Sequence, residues 1–305
     1  MDGAVLWTQE LGAQDARWIH MNADHAETPA VLADLLGDVP PAIRTALLDE
    51  DTRPRVVPAG AGAMVILRGV NLNEGAVPED MISLRAWLDG ERLVTLRKRD
   101  LRATDDVRAT VVSGKGPQAP GGVLARLAQR LAERMEPVLD LLDDRVAAQE
   151  EAVIEQPDPA LRRDIAQTRR RAIILRRYIA PQREAVRALL DADLEALGAD
   201  ERRLLIETGD RMQRHVEDLD MLRERAQVVK DELANALADR LNRNLYVLAV
   251  LSAVFLPLGF VTGLLGVNVA GVPGTETPGA FWWMTGALAV GAAALLVLLR
   301  RMRWL

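Results

Sequence analysis

LYVLAVLSAVFLPLGFVTGLLG, residues 245–266, runs for 22 residues without a charge, and FWWMTGALAVGAAALLVLL, residues 281–299, for another 19. A helix needs about 20 apolar residues to cross the hydrocarbon of a bilayer, so each is long enough to span it. Two such runs side by side, closed by Arg300, Arg301 and Arg303, describe a transmembrane hairpin rather than the buried helices of a soluble core. Arg240 and Arg243 precede the first run, and the connecting residues 267–280 hold no Lys or Arg. Positive charge stays inside, which places both ends of the hairpin in the cytoplasm and the short loop outside. Trp282, Trp283 and Trp304 stand where interfacial anchors belong.

Outward from the hairpin the composition inverts. Residues 1–244 carry 35 Lys and Arg against 43 Asp and Glu. An acidic body, an uncharged hairpin and a basic tail form a membrane pattern and argue against a nucleic-acid partner. The absence of cysteine excludes disulfides and thiolate zinc sites. Met1-Asp2-Gly3 opens no basic and apolar leader, so no cleaved signal peptide is expected and insertion relies on the hairpin.

Residues 1–117 read as an α/β domain. Strands are expected over 4–7, 17–21, 55–57, 63–70, 81–88 and 92–97, the last two joined by an Asp89-Gly90 turn. Short helices are expected over 29–36, 40–48 and 101–112, and a linker over 113–122. Residues 118–244 read as long helices: 123–154, broken by Gln156-Pro157-Asp158-Pro159, then 160–197 with Gly198 as its stop. A third helix starts near residue 200 and meets no breaker before the membrane, so it runs about 100 Å to Gly266. Residues 245–266 and 281–299 are the two spans, 267–280 the outer loop and 300–305 the basic tail. The fold class is therefore an α+β cytoplasmic domain with long helices on a two-helix transmembrane hairpin.

The third helix carries two stripes. Leu205, Thr208, Met212, His215, Leu219, Leu222, Ala226, Val229, Leu233 and Ala236 alternate by three and four, a heptad seam for other helices. Asp210, Glu217, Glu224 and Asp231 recur every seven residues on the other side. They form either a solvated face or, if copies aim them at a common axis, a lumen that concentrates cations. Two spans cannot enclose a pore, so transport requires several copies. Pro257 removes a backbone donor within the first span, and Gly259, Gly263 and Gly266 allow close helix approach.

Phe255-Leu256-Pro257-Leu258-Gly259-Phe260, Gly266-Val267-Asn268 at the outer end of the first span, and the terminal Arg-Met-Arg-Trp-Leu together resemble the CorA family of metal ion transporters over essentially the whole chain. Most of that family reads Gly-Met-Asn; Val267 and the Val-Ala-Gly-Val-Pro-Gly that follows Asn268 resemble its zinc-transporter, ZntB-like branch. The resemblance implies a pentameric funnel of identical chains in the bacterial inner membrane. First spans line its pore, and Gly266, Val267 and Asn268 form the outer mouth. Gly266 can end a helix in the left-handed conformation, and Asn268 offers a neutral oxygen to a hydrated dication. The resemblance also places Asn242, Leu245, Leu248, Ala249, Leu256 and Gly259 along the pore, with the leucines as apolar constrictions. Asp231 matches an ion-sensing position of the magnesium branch. Gly259 stands where that branch often has a threonine.

The implied cargo is zinc, with magnesium, cobalt or nickel as alternatives, moved by its own gradient, the membrane potential or coupling to protons. No cofactor is implied. Neither His20 nor His25 stands in a zinc-ligand spacing; His215, with Asp218 one turn on, is either a packed seam residue or a metal ligand. No nucleotide-binding or hydrolase motif is present. The reading from another class is a membrane-tethered scaffold that assembles partners without conducting.

Overall fold

The computed structural model describes residues 3–12, 16–50, 52–266, 274 and 277–301. Strands β1 (Val5–Leu11), β2 (Ala16–Asn22), β3 (Arg55–Ala59), β4 (Gly62–Gly69), β5 (Ile82–Leu88) and β6 (Arg92–Arg97) form one sheet in the order β1-β2-β6-β5-β4-β3. β2 and β6 run parallel and the other neighbours antiparallel. Side chains alternate across a strand, and both faces here are apolar. Met64, Ile66, Trp87 and Val94 join one core with Leu32 and Leu47 of the short helices α1 (Thr28–Leu35) and α2 (Pro41–Leu48). Val65, Leu67, Leu84, Ala86 and Leu93 join another with residues of α3 (Arg102–Val112) and α4 (Pro120–Glu133).

The remaining helices are α5 (Glu136–Glu155), α6 (Leu161–Asp191), α7 (Ala199–Leu265) and α8 (Ala280–Arg301). The chain divides into two compact units, Met1–Asp231 and Glu232–Leu305. In the first, α6 and α7 bury Val186, Leu189, Leu205 and Met212 in the core that covers the sheet. In the second, the C-terminal part of α7 packs on α8, where a Cβ at Gly291 would lie 3.9 Å from Leu258. Both α7 and α8 contain stretches long and apolar enough to cross a membrane.

Three sequence expectations are corrected. The helix expected over 123–154 is two helices, because Pro137 has no amide to give the Glu133 carbonyl and its ring crowds that turn; α4 ends at Glu133 and Pro137 sits in the first turn of α5. The linker expected over 113–122 is shorter, since α4 already starts at Pro120. Its Gly121 lies so close to the Ala196 carbonyl oxygen that a Cβ would stand 1.8 Å away. The helix expected to reach residue 197 ends at Asp191, and Asp193 takes a positive φ of 45°. Leu194 and Leu197, which extend the apolar pattern, are buried from a turn instead. The hairpin at Asp89 is present, held by the Asp89 carboxylate, which accepts from the Glu91 and Arg92 amides at 3.1 and 2.8 Å.

Candidate functional site

The candidate site residues lie on α7, some in each of the two units. At 3.6 residues per turn, the seam and the acidic stripe lie about 180° apart, and burial separates them. From Leu205 to Leu233 the seam is buried at every position, Ala236 being half-buried, whereas Asp210, Glu217, Glu224 and Asp231 are all exposed. The seam is held by charged contacts as well as packing. Arg225 of α7 bonds Glu150 of α5 at 2.8 Å and pairs with Asp143, and Arg176 of α6 forms an ion pair with Asp220 of α7 at 2.6 Å. Opposite charges near the seam are thus consumed in fixing α5, α6 and α7 to one another.

None of the four stripe carboxylates makes an ion pair among the described residues. Two are held by neutral amides: Gln213 Nε2 donates to Glu217 at 2.5 Å, and Gln227 Nε2 to both oxygens of Asp231 at 2.9 and 3.0 Å. An amide orients a carboxylate without cancelling its charge. The stripe therefore presents full negative charge at intervals of about 10.5 Å.

In the second unit, Asn242, Leu245, Ala249, Leu256 and Gly259 share one face of α7 by helical spacing, with Leu248 at its margin. All six are exposed, the three leucines by 54, 60 and 74%. Such apolar exposure requires lipid or other copies to cover it. Sequence reasoning missed Ser252, which lies on the same face three residues after Ala249 and four before Leu256. Its hydroxyl donates to the Leu248 carbonyl at 2.8 Å, so the position adds little polarity to the face. The three-and-four spacing was the signal that marks it.

Gly266 closes α7 with its amide on the Thr262 carbonyl at 3.0 Å. It is not among the glycines of positive φ, so the left-handed ending expected of it is not taken. Val267, Asn268 and Trp304 lie outside the described residues. Trp282 and Trp283 open α8 with 75 and 81% of their surface exposed.

His215 is buried in the seam, its Nε2 3.9 Å from Glu136 Oε1 and its Nδ1 without a hydrogen-bond partner. Burial, assisted by Arg211 and Arg214 and opposed by Asp218 and Asp140, lowers its pKa from 6.5 to about 4. Among the described residues no three His, Asp or Glu side chains gather as a metal site. His20 is buried against the sheet with Nδ1 2.8 Å from Thr95 Oγ1, which also accepts from Trp18 Nε1 at 2.8 Å. Burial first, then Arg97 and Arg108, lower its pKa to about 3.

A family model described as "CorA-like Mg2+ transporter protein" matches residues 13–301. The divalent cation transporter CmaX of Pseudomonas aeruginosa is 37% identical over 301 residues, 97% of this chain and 90% of the relative. The zinc transport protein ZntB of Yersinia enterocolitica is 35% identical over 284 residues, 92% of this chain and 86% of the relative. The structure of full-length CmaX superposes with a TM-score of 0.85 at 34% identity, covering 100% of this chain and 99% of the other. The CorA magnesium transporter of Methanocaldococcus jannaschii gives a TM-score of 0.81 over 97% of this chain and 94% of the other, at 16% identity, a likeness of fold.

Proposed function

The chain belongs to the CorA-like family of Mg2+ transporter proteins, and from that premise we propose that it carries divalent metal cations, zinc first among them, across the bacterial inner membrane. Two observations on α7 carry this reading: the exposed carboxylates from Asp210 to Asp231 in the first unit, and the exposed apolar residues from Leu245 to Gly259 in the second. Five copies with these residues turned to a common axis form an acidic lumen leading into a narrow apolar passage. The lumen raises the local concentration of cations. Leu245, Leu248 and Leu256 make constrictions that empty of water when narrow and conduct when widened.

Asn268 supplies a ring of neutral amide oxygens at the outer mouth, which hold a hydrated dication without the tight binding that five carboxylates produce. Both ends of the hairpin lie in the cytoplasm, because Arg240 and Arg243 precede the first span and Arg300 and Arg301 follow the second. Zinc is favoured over magnesium by Gly266-Val267-Asn268 and by similarity to the named zinc transport proteins. His215 acts in this reading as a neutral seam residue, with Asp218 beside it.

The test is uptake by purified protein in sealed vesicles loaded with metal-sensitive dye. Zinc entry faster than magnesium entry at matched concentration, and lost in Asn268→Ala, is the expected result. Magnesium faster than zinc overturns the choice of ion. Vesicles that stay sealed to every dication overturn transport and leave the tethered scaffold.

A further inference from the structure

Charge is segregated between the two helices that flank α7. α5 holds seven Asp and Glu against one Arg, and α6 holds nine Arg against three Asp and Glu. On α5, Asp140, Asp144, Glu151 and Glu155 share one exposed stripe, opposite the buried Leu142, Val146, Gln149 and Val153. On α6, Arg162, Arg163, Arg170 and Arg177 share an exposed stripe, opposite the buried Ile165, Ala172, Leu175 and Ile179. None of these eight groups makes an ion pair among the described residues, although opposite charges abound next door. Each stripe also carries apolar surface: Ile154, 79% exposed, borders the acidic one, and Ile173, 42% exposed, lies within the basic one.

We infer that these two stripes are the two halves of one interface between copies of this chain, the acidic face of α5 on one copy meeting the arginine face of α6 on the next. The inference rests on the reading of several copies around one axis and adds which surfaces join them. An interface made of two different patches leads from copy to copy and closes into a ring. The three helices leave room for it: α7 turns its own acidic face to the axis, so the outward faces of α5 and α6 point toward the two neighbours.

Register supports the match. α5 and α6 are antiparallel, and Gln149 Nε2 bonds Thr168 Oγ1 at 3.0 Å, which fixes which residues stand level. Counting up one helix and down the other sets Glu155 level with Arg162, Ala147 with Arg170 and Asp140 with Arg177. Rotation about an axis along the helices keeps every residue at its height, so residues level within one copy are level between neighbours. Across the ring Glu155 therefore meets Arg162 and Asp140 meets Arg177 at the same height, and Arg170 falls between Asp144 and Glu151, the backbone positions of Arg163, Arg170 and Arg177 being about 10.5 Å apart. Charge complementarity of this kind fixes register and selects the partner face.

The chain has no cysteine, so a pair can be introduced cleanly. Full-length protein with Ala147→Cys and Arg170→Cys, treated with a short bismaleimide in detergent, is expected to give a denaturing-gel ladder rising in steps to five chains. Each single variant stays at one chain. Reversal of Arg163, Arg170 and Arg177 to Glu is expected to shift the native mass from the ring to the single chain, and adding Asp140→Arg, Asp144→Arg and Glu151→Arg to restore it. An intact oligomer that yields no ladder, or only a link within one chain, overturns this interface and leaves the transport reading standing. A reversal that leaves the native mass unchanged does the same. Wild-type protein that is itself a single chain overturns both.

Discussion

His215 occupies a place in the seam of α7 where a charged imidazole has no adequate partner. Its side chain is 5% exposed, and the nearest carboxylate oxygen, on Glu136, is 3.9 Å away. The folded protein therefore holds it neutral down to about pH 4, whereas the unfolded chain protonates it below its ordinary value near 6.5. Between those values the unfolded state binds more protons, so stability is complete above pH 6.5 and declines as the pH falls toward 4. The loss amounts to roughly 3 kcal/mol. Unfolding temperatures of the detergent-solubilised chain, followed from pH 7.5 down to 4.5, are expected to drop more steeply in wild type than in His215→Leu. Parallel curves mean that the histidine is not the group responsible. His20 contributes in the same direction and stays in both proteins, so the difference isolates His215.

At the scale of elements, α7 is the part of the fold most legible in sequence. Its seam, its acidic stripe and its length all follow from periodicity without a breaker, and the structure gives a helix of 67 residues. The neighbouring boundaries were less legible for a definite reason. Pro137 looked like an ordinary residue within an apolar pattern, because proline is tolerated in a first turn and breaks a helix only if the helix has already begun. Leu194 and Leu197 kept the apolar rhythm of α6 after its backbone had turned. Apolar patterning reports burial, and buried loop residues keep the pattern without the helix. The legible part of the site is the spacing of its positions on α7; what sequence could not supply is that the stripe carboxylates make no ion pair among the described residues while those near the seam pair with Arg225 and Arg176.

That difference makes a prediction about the element. Exposed charges act over roughly a Debye length, about 8 Å at physiological salt and about 30 Å at 0.01 M. Replacing Asp210, Glu217, Glu224 and Asp231 by their amides is expected to slow metal flux in vesicles several-fold at low salt, on the scale of electrostatic steering, with little change at high salt. Thermal stability should stay within about 0.5 kcal/mol of wild type, as for surface substitutions generally. A loss of flux that is the same at every salt concentration would point to a direct ligand role instead. Unchanged flux throughout would return the stripe to a merely solvated face.

At the scale of the whole molecule, the sheet shows where sequence reading stops. Each strand is visible locally as a short run of strand-forming residues, yet the order β1-β2-β6-β5-β4-β3 places β2 beside β6 in parallel, a neighbour that local pattern cannot rank. The proposed assembly has the same character, since the charged stripes of α5 and α6 are legible as exposed faces only once their buried sides are known. In the proposed reading the cation moves with its own gradient and the membrane potential. For a dication, 100 mV inside-negative is worth about 4.6 kcal/mol, at roughly 2.3 kcal/mol per charge. A factor of ten costs about 1.4 kcal/mol, so such a potential sustains roughly a thousand-fold accumulation. A potassium diffusion potential imposed on vesicles, negative on the side the metal enters, is therefore expected to accelerate zinc uptake at equal pH on both sides. Reversing the potential should suppress it. If uptake instead follows an imposed pH difference and ignores the potential, the cation moves in exchange with or alongside protons in an electrically silent cycle, and the open-channel mechanism gives way to a coupled one.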